Sequence, residues 1–143
     1  MWIAIVAAGC ERRPAPAPIQ IVTIDAAPQP RDAAGLDQDL PQLATRSLKL
    51  YEEVAAAFTA VGEDCAAAAT RLGTLRERYL DVVTANEKIL HDGRAKELRV
   101  ALAPYEEQFD AAAKAIVKSP TLAACSQDAA FARAFDELVG APP

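Results

Sequence analysis

The helical character of this chain is clearest in residues 41–62, which read PQLATRSLKLYEEVAAAFTAVG. Apolar side chains recur there at steps of three and four residues, as one buried face of an α-helix requires. This face consists of Leu43, Leu50, Val54, Phe58 and Val61, with Ser47 filling a gap. Pro41 suits a first helical turn, Asp39 is placed to cap it, and Gly62 permits a chain reversal. We therefore predict a first helix that ends at Gly62.

The same periodicity recurs in three later segments. Asp64 is placed to cap a second helix and Asp92 a third, while Ser119-Pro120 supplies a cap and a first-turn proline for a fourth. Their apolar faces are Cys65, Ala69, Leu72, Leu75, Tyr79, Val82 or Val83, and Ile89 or Leu90; Leu98, Ala101 or Leu102, Tyr105, Phe109, Ala112 and Ile116; and Leu122, Cys125, Phe131, Phe135 and Leu138. Gly93 and Gly140 follow the second and fourth segments as stop signals.

Three features interrupt these helices. Gly73 weakens the second by about 1 kcal/mol relative to alanine. Pro104 lacks the N–H that would reach the carbonyl of Val100, so it kinks or breaks the third helix. Residues 126–128 split the fourth into a short turn and a terminal helix. The predicted fold is all-α: an antiparallel four-helix bundle over residues 37–140, or alternatively a three-helix bundle with a C-terminal extension.

The segment before the bundle, residues 10–36, has a different composition. It contains five prolines, at positions 14, 16, 18, 28 and 30, which remove backbone donors and favour an extended polyproline conformation. We predict a disordered or semi-rigid tether that spans on the order of 80 Å at a rise of about 3.1 Å per residue. Residues 19–24 are rich in β-branched residues and partly alternating, as in a strand, but they have no obvious partner strand. We expect them to serve either as a sticky patch against the bundle or as plain linker.

The N-terminus, residues 1–9, is an uncharged apolar run that ends in small residues directly before Cys10. Ala7-Ala8-Gly9-Cys10 resembles the lipobox of bacterial lipoproteins, although Ala7 stands where leucine is usual. The resemblance implies a signal peptide over residues 1–9, lipid on the Cys10 sulfur, and a mature chain that starts there. A basic segment is missing before the apolar run, so we expect the true start codon to lie upstream. The alternative is an ordinary buried segment with a free cysteine.

The resemblance also implies a location. A lipid-anchored chain would sit outside the cytoplasm on a bacterial membrane. Glu11 follows Cys10, where an aspartate signals inner-membrane retention in some bacteria, so the outer membrane is favoured. The expected membrane contact is through the lipid alone.

With Cys10 assigned to lipid, an even pair of cysteines remains. Cys65 opens the second helix and Cys125 lies near the start of the fourth, and these two starts share one end of an up-down-up-down bundle. We predict a Cys65–Cys125 disulfide, in keeping with an oxidising compartment. The closed loop of about 60 residues would stabilise the fold by roughly 4 kcal/mol in the chain-entropy model. The alternative is two buried free thiols.

The sequence carries no recognisable catalytic, metal or cofactor motif. His91 is the single histidine and Met1 the single methionine, so the axial ligands of a bundle haem and the paired Glu-x-x-His motifs of a di-iron site are missing. His91 is expected to be a solvated or capping residue of the second helix. The net charge of −5 argues against nucleic acid as a partner. We predict a protein without a cofactor or metal that is not an enzyme.

Two functions fit this organisation. The first is a non-enzymatic envelope lipoprotein whose helical module binds another envelope protein or serves a structural role. The second is a carrier with an apolar pocket between helices, to which Tyr51, Tyr79 and Tyr105 could contribute if they do not simply fill the core. A closed core with an exposed apolar stripe would favour the first, and an enclosed pocket lined by the tyrosines would favour the second.

Overall fold

The computed structural model describes residues 33–139. Residues 1–9, Cys10, most of the predicted tether and Gly140 lie outside this range. The described residues are helical with short connections and contain no strand, which confirms the all-α class. The elements are α1 (Ala33–Leu36), α2 (Leu40–Val61), α3 (Cys65–Arg78), α4 (Leu80–His91), α5 (Ala95–Leu102), a 3₁₀ turn (Ala103–Tyr105), α6 (Glu106–Val117), α7 (Pro120–Cys125) and α8 (Ala129–Val139).

Several predicted helix ends are confirmed by side-chain caps. Asp39 caps α2 by accepting the N–H of Gln42 (3.0 Å), and Asp64 caps α3 by accepting the N–H of Ala67 (3.0 Å). Ser119 caps α7 by accepting the N–H of Leu122 (3.1 Å). Gly62, with φ of 59°, adopts the left-handed backbone that L side chains disfavour and so ends α2. These ends follow from residue type and local spacing alone, which explains why the sequence identifies them.

The predicted cap at Asp92 is wrong. Asp92 closes the C-terminus of α4, and Gly93, with φ of 72°, turns the chain there. Because the N–H of Arg94 still reaches back to the carbonyl of Ile89 (2.9 Å), the turn belongs to the end of α4. Helix α5 starts only at Ala95, beyond the reach of the Asp92 side chain, and its N-terminus has no side-chain cap.

The interruptions fall partly where the sequence places them. Pro104 lies in the 3₁₀ turn between α5 and α6, and residues 126–128 separate α7 from α8, so both predicted breaks are confirmed. Gly73, in contrast, lies inside an unbroken α3. The second segment breaks instead at Tyr79, whose backbone (φ −111°, ψ 23°) leaves helical geometry where its buried hydroxyl donates to Glu53.

Helix α2 lies at the centre of the module and contacts α3, α4, α5, α6 and α7, while α8 packs on α3. The largest fully buried apolar side chains come from α2, α3, α4 and α8 and are Phe58, Phe131, Leu43, Leu72, Ile89 and Val82. The predicted core positions Leu50, Val54, Leu75, Leu98, Ile116, Cys125 and Leu138 are also buried. In the second face Ala68 is buried in place of Ala69, which is only partly covered.

The helical module begins earlier than the predicted boundary at residue 37. Helix α1 covers the last residues assigned to the tether, and it packs against α4. Leu36 is 3% exposed and belongs to the core, and Asp37 is fully buried. The boundary was predicted too late because it followed the proline-rich composition. Helix α1 has a single anchoring leucine, and one apolar residue cannot show the three- and four-residue spacing that identifies a helix.

Candidate functional site

An apolar cleft opens between α2, α4, α6 and α8, with a volume of about 240 Å³. Each helix contributes side chains three or four residues apart, so each presents one stripe to the same space. The lining residues are Ser47, Leu50, Tyr51 and Val54 of α2; Val83, Asn86, Glu87 and Leu90 of α4; Ala113, Ile116 and Val117 of α6; and Phe135, Leu138 and Val139 of α8. We call this space the cleft.

The cleft has an exposed apolar rim. Within residues 35–139, the large apolar or aromatic side chains that face solvent are Tyr51, Leu80, Leu90, Val100, Val117 and Val139, and four of these six line the cleft. The rim side chains remain 39% (Tyr51), 58% (Leu90), 68% (Val117) and 51% (Val139) exposed. Isolated exposed apolar residues are ordinary on a protein surface, but several around one concave site mark a binding surface.

Polar groups are sparse in the cleft. Ser47 is 6% exposed, and its Oγ has no hydrogen-bond partner among the described residues. Asn86 is half-buried on the opposite wall. Glu87 is the one charged lining residue; it is exposed, and it forms no ion pair with any residue of the described range. The cleft therefore combines apolar walls, an unbonded hydroxyl and one free carboxylate.

Aromatic contacts fix two parts of the cleft wall. The ring of Tyr51 packs edge-on against Phe109 at a centroid distance of 5.3 Å. Phe135 stacks on Phe131 at 6.0 Å and lies 6.3 Å from Phe58, which ties the wall of α8 to the core. Aromatic pairs in these geometries stabilise by about 0.5–1.5 kcal/mol beyond the area they bury. The cleft is thus bounded by fixed rings on α2 and α8.

A polar network holds the junction of α3 and α4 against α2. The hydroxyl of Tyr79 donates to Glu53 (2.7 Å), which also accepts from Arg78 (2.7 Å). Arg46 bonds Asp81 (2.8 Å) and lies over the Tyr79 ring at 5.4 Å. Burial, together with the hydrogen bond to the Glu53 carboxylate, raises the pKa of Tyr79. Because its carboxylates and tyrosine are all partnered, the network positions α4 and offers no reactive group.

A second contact fixes the other end of α4. The buried Asp37 carboxylate accepts hydrogen bonds from Lys88 and from Gln38 (2.7 Å), and Arg94 donates to the Asp37 carbonyl (3.2 Å). The hydrogen bond from Lys88, followed by that from Gln38, lowers the pKa of Asp37. Together these contacts hold α1 on α4, whose other face carries Val83, Asn86, Glu87 and Leu90 into the cleft.

The structure brings the two predicted disulfide partners together. The sulfurs of Cys65 and Cys125 are 2.08 Å apart, and their Cα atoms are 5.3 Å apart. Cys125 ends the short helix α7, which is the first part of the predicted fourth segment. Nearby, the hydroxyl of Thr121 lies within hydrogen-bond distance of the carbonyls of Phe58 (2.8 Å) and Gly62 at the end of α2. Cys10 lies outside the described residues.

The remaining candidates contribute no chemistry to the cleft. His91 is exposed in the last turn of α4, as the sequence predicts. Within residues 33–139, no group of three or more His, Cys, Asp or Glu side chains is arranged to hold a metal ion. Of the three tyrosines, only Tyr51 lines the cleft; Tyr79 belongs to the core and Tyr105 lies beside Thr45 (3.3 Å).

No described helix is long and apolar enough to cross a bilayer. No protein-family model, no curated protein sequence and no solved structure matches this chain.

The sequence predicts a pocket between helices only as an alternative, and it does not locate the cleft. Lining residues such as Leu50, Ile116 and Leu138 lie on the predicted apolar faces, others such as Asn86, Ala113 and Val139 do not, and the pattern leaves open whether Ile89 or Leu90 faces inward. The structure buries Ile89 and leaves Leu90 at the rim. One sequence feature could have indicated the rim. Two adjacent residues are apolar at 89–90 and again at 116–117, whereas a single buried face needs only one apolar residue at each of these places.

Proposed function

We propose that this chain is a non-enzymatic envelope lipoprotein whose helical module binds another envelope component through the cleft. The observation that carries the proposal is the concentration of exposed apolar side chains, Tyr51, Leu90, Val117 and Val139, around one concave site. Such a surface is costly to leave in water, since each exposed square ångström of apolar area would gain about 25 cal/mol on burial.

The proposed anchor is a lipid on Cys10, on the residues Ala7-Ala8-Gly9-Cys10. The proximity of Cys65 and Cys125 supports an oxidising, extracytoplasmic compartment, because structural disulfides are rare in the cytosol. Glu11 favours the outer membrane. In this arrangement the prolines of residues 10–32 separate the lipid from a module that begins at α1.

For the architecture, we infer an antiparallel four-helix bundle in which all but the first of the four segments is interrupted. The segments are α2; α3 with α4; α5 with α6; and α7 with α8. The support is that α2, α4, α6 and α8, one helix from each segment, line one common space. Three segments are interrupted, at Tyr79, at Pro104 and at residues 126–128. Each interruption allows the second half of its segment to tilt independently of the first half.

The size of the cleft favours a partner surface over a carried ligand. Its volume of about 240 Å³ lies below the range of roughly 300–1,000 Å³ typical of small-molecule sites. A carrier would be supported by a pocket lined by several tyrosines, but only one of the three tyrosines lines the cleft. A ligand small enough to fit inside would leave most of Leu90 and Val117 exposed.

The test uses a photo-crosslinking residue in cells, placed either at Val117 on the rim or at Val100 on α5. These valines are equally exposed, at 68% and 67%, and only Val117 lines the cleft. We expect a discrete crosslinked protein from Val117 alone, and its loss when Cys10→Ala releases the chain from the membrane. Mass spectrometry of the mature N-terminus checks the lipid. An unlipidated Cys10 contradicts the anchor, and equal crosslinking from both positions contradicts the binding site.

A further inference from the structure

We propose that the cleft receives a positively charged amphipathic helix, which inserts one aromatic side chain between α2, α4, α6 and α8. This inference rests on the proposed function, because it names the kind of partner that the same cleft binds. It is drawn from the volume of the cleft, the exposure of its rim and the charge of its lining.

The volume sets the size of what enters. An apolar cavity of about 150 Å³ is large enough to hold benzene. At about 240 Å³ the cleft therefore has room for one aromatic side chain. The walls that such a ring would touch are apolar and come from all four helices: Leu50, Val54, Val83, Ile116, Phe135 and Leu138.

The rim indicates that more than the inserted ring must bind. Leu90, Val117 and Val139 lie on three different helices around the opening, and all three are more than half exposed. A ligand confined to the cleft would leave them in water. A helix laid over the opening, about 10–12 Å wide with side chains, would cover them with the apolar neighbours of its inserted residue.

The charges indicate the sign of the partner. Glu87 on the rim has no ion pair within the described range, and the chain as a whole carries a net charge of −5. A lysine or arginine beside the apolar face of the incoming helix would form an ion pair with Glu87. The negative net charge of the chain would also attract a positively charged partner towards the module. The unbonded Oγ of Ser47 adds a preference, because a tyrosine ring that fills the cleft can bring its hydroxyl to that oxygen.

Two other occupants fit these features less well. A second copy of the chain would place Glu87 and a further net charge of −5 against the same surface, which like charges disfavour. Residues 19–24 of the chain itself combine four aliphatic residues with Gln20 and Thr23, they include no aromatic or basic residue, and Asp25 follows them.

The experiment measures binding of synthetic helical peptides to the full chain carrying Cys10→Ala. The parent peptide has a tyrosine at the centre of its apolar face and lysines on its flanks. Its relatives replace the tyrosine with alanine or phenylalanine, or the lysines with glutamate or glutamine. We expect the parent to bind and its alanine relative to bind about 30-fold more weakly, as loss of a central aromatic anchor predicts.

The protein variants locate the site. Val117→Gln should weaken binding of the parent about tenfold, whereas the equally exposed Val100→Gln should leave it unchanged. Glu87→Gln should weaken the lysine peptide about threefold and reduce its salt dependence, with no effect on the glutamine peptide. Ser47→Ala should abolish the difference between the tyrosine and phenylalanine peptides. All four variants are checked by circular dichroism for an unchanged helix content.

Four kinds of result would each overturn the proposal. The first is a loss of specificity, in which the glutamate peptide binds as tightly as the lysine peptide or Val117→Gln weakens binding no more than Val100→Gln does. The second is a dimer of the chain that Val117→Gln dissociates, which would identify a second copy as the occupant. The third is tighter peptide binding when Ile21→Asp is introduced, which would identify residues 19–24. The fourth is sedimentation with phosphatidylcholine vesicles that depends on Val117. If the cellular crosslink from Val117 joins a different protein in any of these cases, the proposed function stands and only the kind of partner is wrong.

Discussion

The helical module is closed in one region and open in another. At the disulfide end, which we define by Phe58, Cys65, Thr121, Cys125 and Phe131, an aromatic pair 5.6 Å apart, a cysteine pair and a bonded hydroxyl fill the space between α2, α3, α7 and α8. The cleft is lined by α2, α4, α6 and α8, and there the hydroxyl of Ser47 has no partner among the described residues. Under the proposed function, stability and binding are assigned to different parts of one small core.

The largest effect is expected from Phe131→Ala. Phe131 is 1% exposed at the disulfide end, so its truncation removes buried contacts and leaves a cavity that costs about 3–5 kcal/mol. On the same helix, Val139→Ala at the cleft rim should change the free energy of unfolding by less than about 0.5 kcal/mol. Urea denaturation of both variants measures the difference. Equal losses would mean that the rim is packed in solution, and the contrast between the two regions would then be lost.

The cysteine pair should give the next largest effect. We expect non-reducing mass spectrometry to find no alkylatable thiol at Cys65 or Cys125. Replacing both by serine should destabilise the module by about 2–4 kcal/mol, chiefly because the unfolded chain is no longer constrained. The double variant should still bind at the cleft, since neither cysteine lines it. Two free thiols in the mature protein would remove the main support for an oxidising compartment.

Thr121→Val tests the closed region with a nearly isosteric change. The hydroxyl of Thr121 is fully buried and lies against the carbonyls of Phe58 and Gly62 at the end of α2. The Phe58 carbonyl also accepts the N–H of Gly62 (3.1 Å), whereas the Gly62 carbonyl has no other partner among the described residues. Removal of the hydroxyl therefore leaves the Gly62 carbonyl unsatisfied, and we expect a loss of about 1–2 kcal/mol in the free energy of unfolding. Thermal denaturation of Thr121→Ser, which keeps the hydroxyl, is the control and should show the smaller loss.

Acid should loosen the wall that α4 contributes to the cleft. Since the hydrogen bond from Lys88 lowers the pKa of Asp37 below its ordinary value of 3.8, the contact stabilises the fold fully at neutral pH. This contribution is lost as the pH falls below about 4 and through the lowered pKa. Asp37→Asn should therefore be less stable than wild type at pH 7 and show a smaller further loss in acid. A parallel pH dependence of the two proteins, followed by chemical denaturation, would contradict this role.

What could be predicted from the sequence follows the same division. The caps at Asp39, Asp64 and Ser119 and the break at Pro104 depend on residues within four positions, and local rules suffice for them. The pairing of Cys65 with Cys125 needed only a count and a shared end of the bundle. The cleft depends on how four helices pack against one another, and a buried stripe such as Ser47, Leu50 and Val54 has the same spacing whether it faces a neighbour or a gap.

The errors have physical causes of the same kind. Asp92 has the right residue type for an N-terminal cap. Because Gly93 turns the chain directly after it, Asp92 instead lies at the C-terminal end of α4. Gly73 is not an error: the sequence places it inside the helix at a cost, and α3 continues through it because Leu72 and Leu75 on either side are buried. Burial of Leu72 and Leu75 outweighs the cost of about 1 kcal/mol for one glycine, because each buried leucine contributes about 1.5–3 kcal/mol.

The smallest effect on stability, and the sharpest comparison with Thr121, is expected from Ser47→Ala. Both hydroxyls are buried in α-helices of the same module, but only that of Thr121 has a partner within the described range. Removing an unbonded buried hydroxyl relieves its desolvation cost, which offsets the loss of packing, so we expect a change within about 0.5 kcal/mol of zero. Differential scanning calorimetry of the two variants decides the matter. A loss from Ser47→Ala as large as that from Thr121→Val would show that the oxygen is bonded in the free protein, and the cleft would then offer an incoming side chain no vacant acceptor.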